Sequence, residues 1–147
     1  ERSHSRSRLH ATDTEKRGVI FVARILIVDD DPDILDLVKG ILTPEHEVAV
    51  SEDVTGALEA IRNSHFDVLV TDIRMPVQNG FMLIHQATEI CPDLRVIVIS
   101  AYYDETDEVA SRIVHKYAPI ALSKPITRDS IVAAVAASLR QQPPVAV

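Results

Sequence analysis

The stretch Arg24-Ile25-Leu26-Ile27-Val28-Asp29-Asp30-Asp31-Pro32 joins an apolar, mostly branched run to three consecutive acids. A run with almost no polar interruption is typical of a central parallel strand that is covered on both faces. Pro32 suits the first turn of a helix, because its missing N–H would have no partner there. The stretch therefore predicts a buried strand that ends in acids and leads directly into a helix.

The same alternation of an apolar run and an amphipathic stretch occurs five times along the chain. The predicted strands cover 24–29, 47–51, 66–72, 94–100 and 120–123. Apolar residues at helical spacing follow each strand, over 34–42, 54–61, 81–90, 106–117 and 131–139. Five such units predict an α/β fold, with a parallel sheet and helices on both faces. A doubly wound open sheet is favoured over a barrel, which needs eight units and a longer chain.

Length and composition indicate one globular domain with a single core. The chain has 147 residues, of which 46% are apolar and 25% charged. We place the domain at 22–141, between a flexible polar lead-in at 1–21 and a short tail at 142–147. A net charge of -7 argues against direct nucleic-acid binding, and no apolar run reaches membrane-spanning length.

Cysteine usage excludes an intrachain disulfide, because Cys91 is the only cysteine. That fits a reducing compartment, and we expect a cytoplasmic protein. We interpret Cys91 as a small packing residue near a helix end, just before Pro92, and not as a reactive thiol.

Polar residues stand where the predicted strands end. The first strand ends in Asp29-Asp30-Asp31, and Asp72, Ser100 and Lys124 end the third, fourth and fifth. The carboxyl ends of parallel strands meet at one edge of a doubly wound sheet, where ligands bind. Neighbouring carboxylates raise one another's pKa values, and a hard cation such as Mg²⁺ offsets that repulsion. Together with Lys124, such a cluster suits phosphoryl transfer onto Asp72.

At this point the chain resembles a response-regulator receiver domain of the CheY-like two-component family. Four segments carry the resemblance, and their order on successive strand ends makes the match specific. They are Ile25-Leu26-Ile27-Val28-Asp29-Asp30-Asp31-Pro32, Asp72-Ile73-Arg74-Met75-Pro76 with Gly80, Ile99-Ser100-Ala101, and Lys124-Pro125. The resemblance covers nearly all of the predicted domain. It implies a (βα)5 sandwich whose five-stranded parallel sheet has the order 2-1-3-4-5.

The resemblance also implies a role for each matching residue. Asp72 matches the phosphoacceptor and also belongs to a Mg²⁺ site. Asp29 and Asp30 match the acidic pair of that site, to which the backbone carbonyl of Arg74 would add a ligand.

Two further residues match groups that contact the phosphoryl group. Ser100 matches the hydroxyl residue that moves to bond it, and Lys124 matches the lysine that contacts it. The Lys124-Pro125 bond matches the family's cis peptide.

Function follows from the same resemblance. It implies a phosphorelay switch that is not an enzyme in its own right, although it takes part in its own phosphorylation and dephosphorylation. The implied partners are a histidine kinase or histidine phosphotransfer protein and a downstream protein or output domain. The sequence allows a homodimer. It is compatible with a stand-alone receiver, an excised piece of a regulator and the terminal receiver of a hybrid kinase.

One position departs from the family pattern. Many receivers carry Tyr or Phe three residues before the lysine, whereas this chain has Ala121. Ala121 raises an alternative, a degenerate receiver that acts as a phosphorylation-independent interaction module. The acid, Ser and Lys set argues against it.

Two enzymatic alternatives rank lower. An aspartyl phosphatase would carry a second Asp two residues after Asp72, where this chain has Arg74. A nucleotide-binding enzyme would need a Gly-rich phosphate loop, and the chain has four glycines and no such motif.

Overall fold

The structure is a computed structural model that describes residues 11–12, 20–75, 79–101, 108–117 and 120–140. Most of the predicted lead-in, the predicted tail and the start of the predicted fourth helix at 106–107 lie outside these ranges. The limits predicted for the domain therefore stay a prediction.

A five-stranded parallel sheet forms the centre of the molecule. Its strands are β1 Arg24–Val28, β2 Glu47–Ser51, β3 Val68–Asp72, β4 Arg95–Ser100 and β5 Ile120–Ser123. Their spatial order is β2-β1-β3-β4-β5, which confirms the doubly wound (βα)5 fold and the order 2-1-3-4-5. The strands are one or two residues shorter than predicted at some ends.

In the described ranges, five helices connect and cover the strands. They are α1 Pro32–Leu42, α2 Val54–Asn63, α3 Gly80–Ile90, α4 Glu108–Tyr117 and α5 Arg128–Arg140. Pro32 stands in the first turn of α1 as predicted, and the helix ends before Pro44. No helix in the described ranges combines the length and apolar character that a membrane span requires.

Alternating side chains of the sheet build a core on each face. On one face, Ile25 and Ile27 of β1 pack in a cluster with residues of α1 and α5. On the other, Leu26 and Val28 pack with α2 and α3. A smaller cluster beside the latter joins Ile73 to residues of α3, β4 and α4. Both faces are thus apolar, which explains the nearly continuous hydrophobic strands.

Short polar side chains begin four of the helices at the carboxyl edge of the sheet. The carboxylates of Asp31 and Asp53 accept hydrogen bonds from N–H groups in α1 and α2, and the Asn79 side chain does the same for α3. Thr127 Oγ1 accepts the Ser130 N–H at 3.0 Å, so Thr127 caps α5. Asp129 lies inside the first turn of α5. These caps fix where each strand-to-helix loop turns back.

A small antiparallel pair precedes the main sheet. Ala11–Thr12 pairs with Ile20–Phe21, only two residues before β1 begins. This pair lies within 1–21, the range that we predicted to be a flexible polar lead-in.

Candidate functional site

Two buried acids meet at the carboxyl edge of the sheet. Asp29 follows β1 and Asp72 ends β3, and these strands are neighbours with Val28 in register with Thr71. Asp29 is 0% exposed and Asp72 is 5% exposed. The strand order therefore brings together two residues that are far apart in the sequence.

Lys124 lies between these acids. Its Nζ is 3.1 Å from Asp29 Oδ2 and 3.0 Å from Asp72 Oδ2. The backbone N–H of Lys124 donates to the carbonyl of Ser100 at 3.2 Å, which ties the residue to the end of β4. The peptide bond from Lys124 to Pro125 is cis, as predicted. A single cation thus serves two buried carboxylates.

A third acid completes an oxygen-rich cluster. Carboxylate oxygens of Asp29, Asp30 and Asp72 all lie within 4.8 Å of one another, and Asp30 is exposed. Asp29 Oδ2 is buried and makes no well-aligned hydrogen bond, although it is ion-paired with Lys124. Hard oxygen donors with an unsatisfied buried atom fit a divalent cation such as Mg²⁺. The predicted set Asp29, Asp30 and Asp72 is therefore brought together.

The electrostatics of Asp29 indicate a carboxylate that lacks compensation. Burial raises the pKa of Asp29, and the charge of Asp72 raises it further. The Asp31 N–H, which donates to Asp29 Oδ1 at 2.9 Å, and the Lys124 ammonium act in the opposite direction but do not cancel the effect. An additional positive charge at this place would favour the ionised form.

At Lys124, in contrast to Asp29, interactions with neighbouring charges outweigh the effect of burial on the pKa. Burial alone would lower the pKa of Lys124, but the hydrogen bond to Asp72 and the ion pairs with Asp29 and Asp72 outweigh it, so the pKa is raised. Lys124 is therefore a permanent ammonium at neutral pH, held at the centre of the site.

Both oxygens of Asp72 have fixed directions. Oδ1 accepts the Arg74 N–H at 3.1 Å, and Oδ2 accepts from Lys124. Asp29 and Asp31 form the same kind of turn, in which an Asp side chain bonds the N–H two residues later. The arrangement fixes the orientation of a buried carboxylate at the carboxyl edge of the sheet.

Comparison with known protein families agrees with the resemblance seen in the sequence. The sequence profile of the response regulator receiver domain matches residues 25–136. The chain belongs to this family.

Two bacterial proteins illustrate the sequence similarity of this receiver domain to its relatives. It is 29% identical over 123 residues to the transcriptional regulatory protein GlrR of Escherichia coli K12, covering 83% of this chain and 27% of that protein. It is 40% identical over 91 residues to the response regulator receiver protein Anae109_2439 of an Anaeromyxobacter species, covering 60% and 38%. The receiver thus spans well under half the length of these two proteins.

A solved structure has the same fold. The CheY-like receiver domain protein of Methanospirillum hungatei has a TM-score of 0.74 at 29% identity. The match covers 80% of this chain and 94% of that one.

The remaining predicted site residues of the receiver lie on the same edge. Ser100 ends β4 and is buried, and Arg74 is exposed on the loop after β3. The role of the Arg74 carbonyl as a ligand stays a prediction. Ala121 is exposed on β5, in register with Val98, so no aromatic ring lies at this position.

Sequence reasoning missed two features of the receiver site. It did not foresee that the Asp31 N–H holds Asp29. It also did not foresee that Lys124 pairs with both acids. The spacing of two residues in Asp29-Asp30-Asp31 was a usable signal for the first, because Asp side chains often bond the N–H two positions on.

Proposed function

We propose that this receiver is the phosphoacceptor domain of a two-component phosphorelay and that Asp72 accepts the phosphoryl group. The observation that carries the proposal is the buried Asp72 carboxylate, oriented by the Arg74 N–H and ion-paired with Lys124 beside two further acids. Family membership supports the same function.

The chemistry is one displacement at phosphorus. An oxygen of Asp72 forms the new O–P bond as the P–N bond to a phosphohistidine donor breaks, and the electron pair of that bond returns to the donor ring. The ring, already protonated on its other nitrogen, leaves as neutral imidazole. The carboxylate needs to be aimed at the phosphorus, and the two hydrogen bonds to Asp72 fix its direction.

Lys124 and Ser100 would act on the transferred group. Because the Lys124 ammonium is already within 3.0 Å of Asp72, it can turn from the carboxylate to a phosphoryl oxygen. Ser100 is buried at the end of the adjacent β4 and offers a hydroxyl donor. Its bond to the phosphoryl group would bias the loop after β4 and so alter a partner-binding surface.

Asp29, Asp30 and Asp72, with the Arg74 carbonyl, would hold Mg²⁺. When bound, Mg²⁺ would neutralise charge on the phosphoryl oxygens and on the acids. The buried, ion-paired and incompletely bonded Asp29 supports this assignment.

The biological setting follows from the same proposal. The donor would be a histidine kinase or histidine phosphotransfer protein in the cytoplasm, and the recipient a downstream protein or an output domain. The domain would be a switch and not an enzyme with a separate substrate. GlrR is a transcriptional regulatory protein, and such an output is one candidate for the protein that contains this receiver.

A degenerate, phosphorylation-independent interaction module is the second candidate. The exposed Ala121, which removes the usual aromatic side chain from β5, favours it. The assembled acid and lysine cluster favours the first candidate.

One experiment separates the two candidates. The protein is incubated with acetyl phosphate with and without Mg²⁺, and intact mass spectrometry measures the gain of one phosphoryl group. We expect modification that requires both Mg²⁺ and Asp72, so that Asp72→Asn abolishes it.

Asp53→Asn is the matched control, because it makes the same chemical change on the same edge, outside the cluster, and Asn also caps helices. It should be modified as wild type. An unmodified wild-type protein would support the interaction module and contradict our proposal.

A further inference from the structure

Helix α3 approaches the backbone of the phosphoacceptor segment unusually closely. A Cβ atom built on Gly80, the first residue of α3, would overlap the carbonyl oxygen of Asp72. It would also lie 2.9 Å from Ile73 Cα and 3.1 Å from the carbonyl carbon of Asp72. All three atoms belong to the backbone, so no side chain can rotate away to make room. Any other residue at 80 would have to displace Asp72 and Ile73 or the first turn of α3.

Hydrogen bonds hold the backbone of Ile73 from two sides. The Gly80 N–H donates to the Ile73 carbonyl at 2.7 Å, and the Ile73 N–H donates to the Ile99 carbonyl of β4 at 3.3 Å. The segment after Asp72 is thus fixed between the start of α3 and strand β4. A shift of either neighbour would move it.

The direction of the Asp72 carboxylate depends on this segment. Asp72 Oδ1 accepts the Arg74 N–H at 3.1 Å, so the turn from 72 to 74 sets where that oxygen points. Arg74, whose carbonyl is the predicted Mg²⁺ ligand, is the last residue of the same turn. Backbone geometry at Ile73 therefore reaches both the phosphoacceptor oxygen and a predicted Mg²⁺ ligand.

We propose that Gly80 is a positioning residue for Asp72. Its missing side chain lets α3 lie directly on the Asp72–Ile73 peptide, and its N–H binds the Ile73 carbonyl, which fixes the following peptide in place. This inference rests on the proposed function, because positioning of the carboxylate matters for chemistry only if Asp72 accepts the phosphoryl group.

The chain supplies two matched controls. Gly40 lies within α1 and would meet no atom within 4 Å if it gained a Cβ, so Gly40→Ala makes the same change without a clash. Asn79 caps α3 through its side chain, which accepts the Met82 N–H at 2.8 Å. Asn79→Ala weakens the start of α3 without adding an atom beside Asp72.

The test is Gly80→Ala, measured with two readouts. Acetyl phosphate and Mg²⁺ give the rate of modification, and NMR titration with Mg²⁺ alone gives the metal affinity and the amide shifts of Asp72 and Arg74. We expect a rate about 10- to 100-fold lower, because a displacement of about 1 Å is costly for an oriented reaction. Mg²⁺ affinity should also fall and both amide signals should move. Gly40→Ala and Asn79→Ala should keep the wild-type rate and affinity.

Each outcome decides the question. Gly80→Ala with the wild-type rate, affinity and amide shifts would overturn the inference and leave the proposed function intact. If Gly80→Ala does not fold, the double variant with Gly40→Ala is measured in trimethylamine N-oxide, which favours the folded state. A double variant that still does not fold would overturn the inference in favour of a purely structural role. If the wild type is not modified, the proposed function fails, and the Mg²⁺ affinity and amide shifts still decide the role of Gly80.

Discussion

The two ends of the sheet use buried aspartates in opposite ways. At the carboxyl edge, Asp29 and Asp72 share Lys124, and Asp29 Oδ2 lacks an aligned hydrogen bond. At the amino edge, Asp67 is equally buried, but Oδ2 accepts the Arg24 N–H at 2.9 Å and Oδ1 lies 3.3 Å from His65 Nε2. Each oxygen of Asp67 has its own partner.

This difference separates Asp67, whose carboxylate is bonded within the fold, from Asp29 and Asp72, the acids of the proposed site. Asp67 links the starts of β1, β3 and β4, because its backbone also bonds the carbonyl of Arg24 and the N–H of Arg95. Its carboxylate is fully used by the fold. Asp29 and Asp72 instead share the Lys124 ammonium beside a third acid, Asp30, and Asp29 Oδ2 has no aligned hydrogen bond, which fits a site for an added cation.

Removal of the Asp67 carboxylate tests the comparison most strongly. Asp67→Ala leaves the buried Arg24 N–H without its side-chain acceptor, and we expect a loss of about 2–3 kcal/mol in the free energy of unfolding. Urea unfolding measures it. Mg²⁺ affinity at the other edge should not change, and a large change would contradict the division between the edges. Asp67→Asn keeps one acceptor oxygen and should lose less.

Neutralisation of Asp29 should raise the free energy of unfolding of the metal-free protein instead of lowering it. Asp29→Asn removes a buried charge that lacks full compensation, and we expect the metal-free protein to gain about 1 kcal/mol. Mg²⁺ binding should weaken at the same time, which calorimetric titration measures.

The pH dependence sharpens this prediction. Because burial raises the folded-state pKa of Asp29 above 3.8, its contribution to stability is present below that pH. It is lost as the pH rises through the folded-state pKa. The difference in the free energy of unfolding between Asp29→Asn and wild type should therefore grow with pH over this window. A constant difference would argue against a raised folded-state pKa of Asp29.

The smallest expected effect concerns the amino edge again. His46 Nδ1 accepts the Ala23 N–H at 3.0 Å just before β1, and burial lowers the pKa of His46 below 6.5. The unfolded chain then binds the proton more readily, so this contribution is present above 6.5 and is lost as the pH falls through the folded-state pKa. We expect a loss of at most about 1 kcal/mol between about pH 7 and about pH 5. His46→Gln should reduce this slope in urea unfolding, and an unchanged slope would assign it to other groups.

Cys91 shows where local sequence was sufficient. Its Sγ donates to Asp93 Oδ1 at 3.1 Å, and burial together with Asp93 raises the pKa of the thiol to about 12. The group is therefore protonated at neutral pH, in agreement with the predicted packing role.

Much of the fold could be predicted because it depends on local pattern. The five apolar runs, the helical spacing that follows them and the caps at Asp31 and Thr127 are properties of neighbouring residues. Strand ends were less certain. The third strand is predicted from Phe66, but in the structure β3 begins at Val68. The side chain of Asp67, just before it, accepts a hydrogen bond from the Arg24 N–H at the start of β1.

The sequence by itself determined which chemistry the protein carries: acids after β1 and β3, a serine after β4 and a lysine after β5, in an order typical of receiver domains. Only the tertiary structure decided how those groups share their charges. The side chains of Lys124 and Asp72 are 52 positions apart, and their contact exists because parallel strands place their carboxyl ends at one edge. The close contact of Gly80 with the Asp72 backbone also belongs to the structure, because it depends on the packing of α3 against the end of β3.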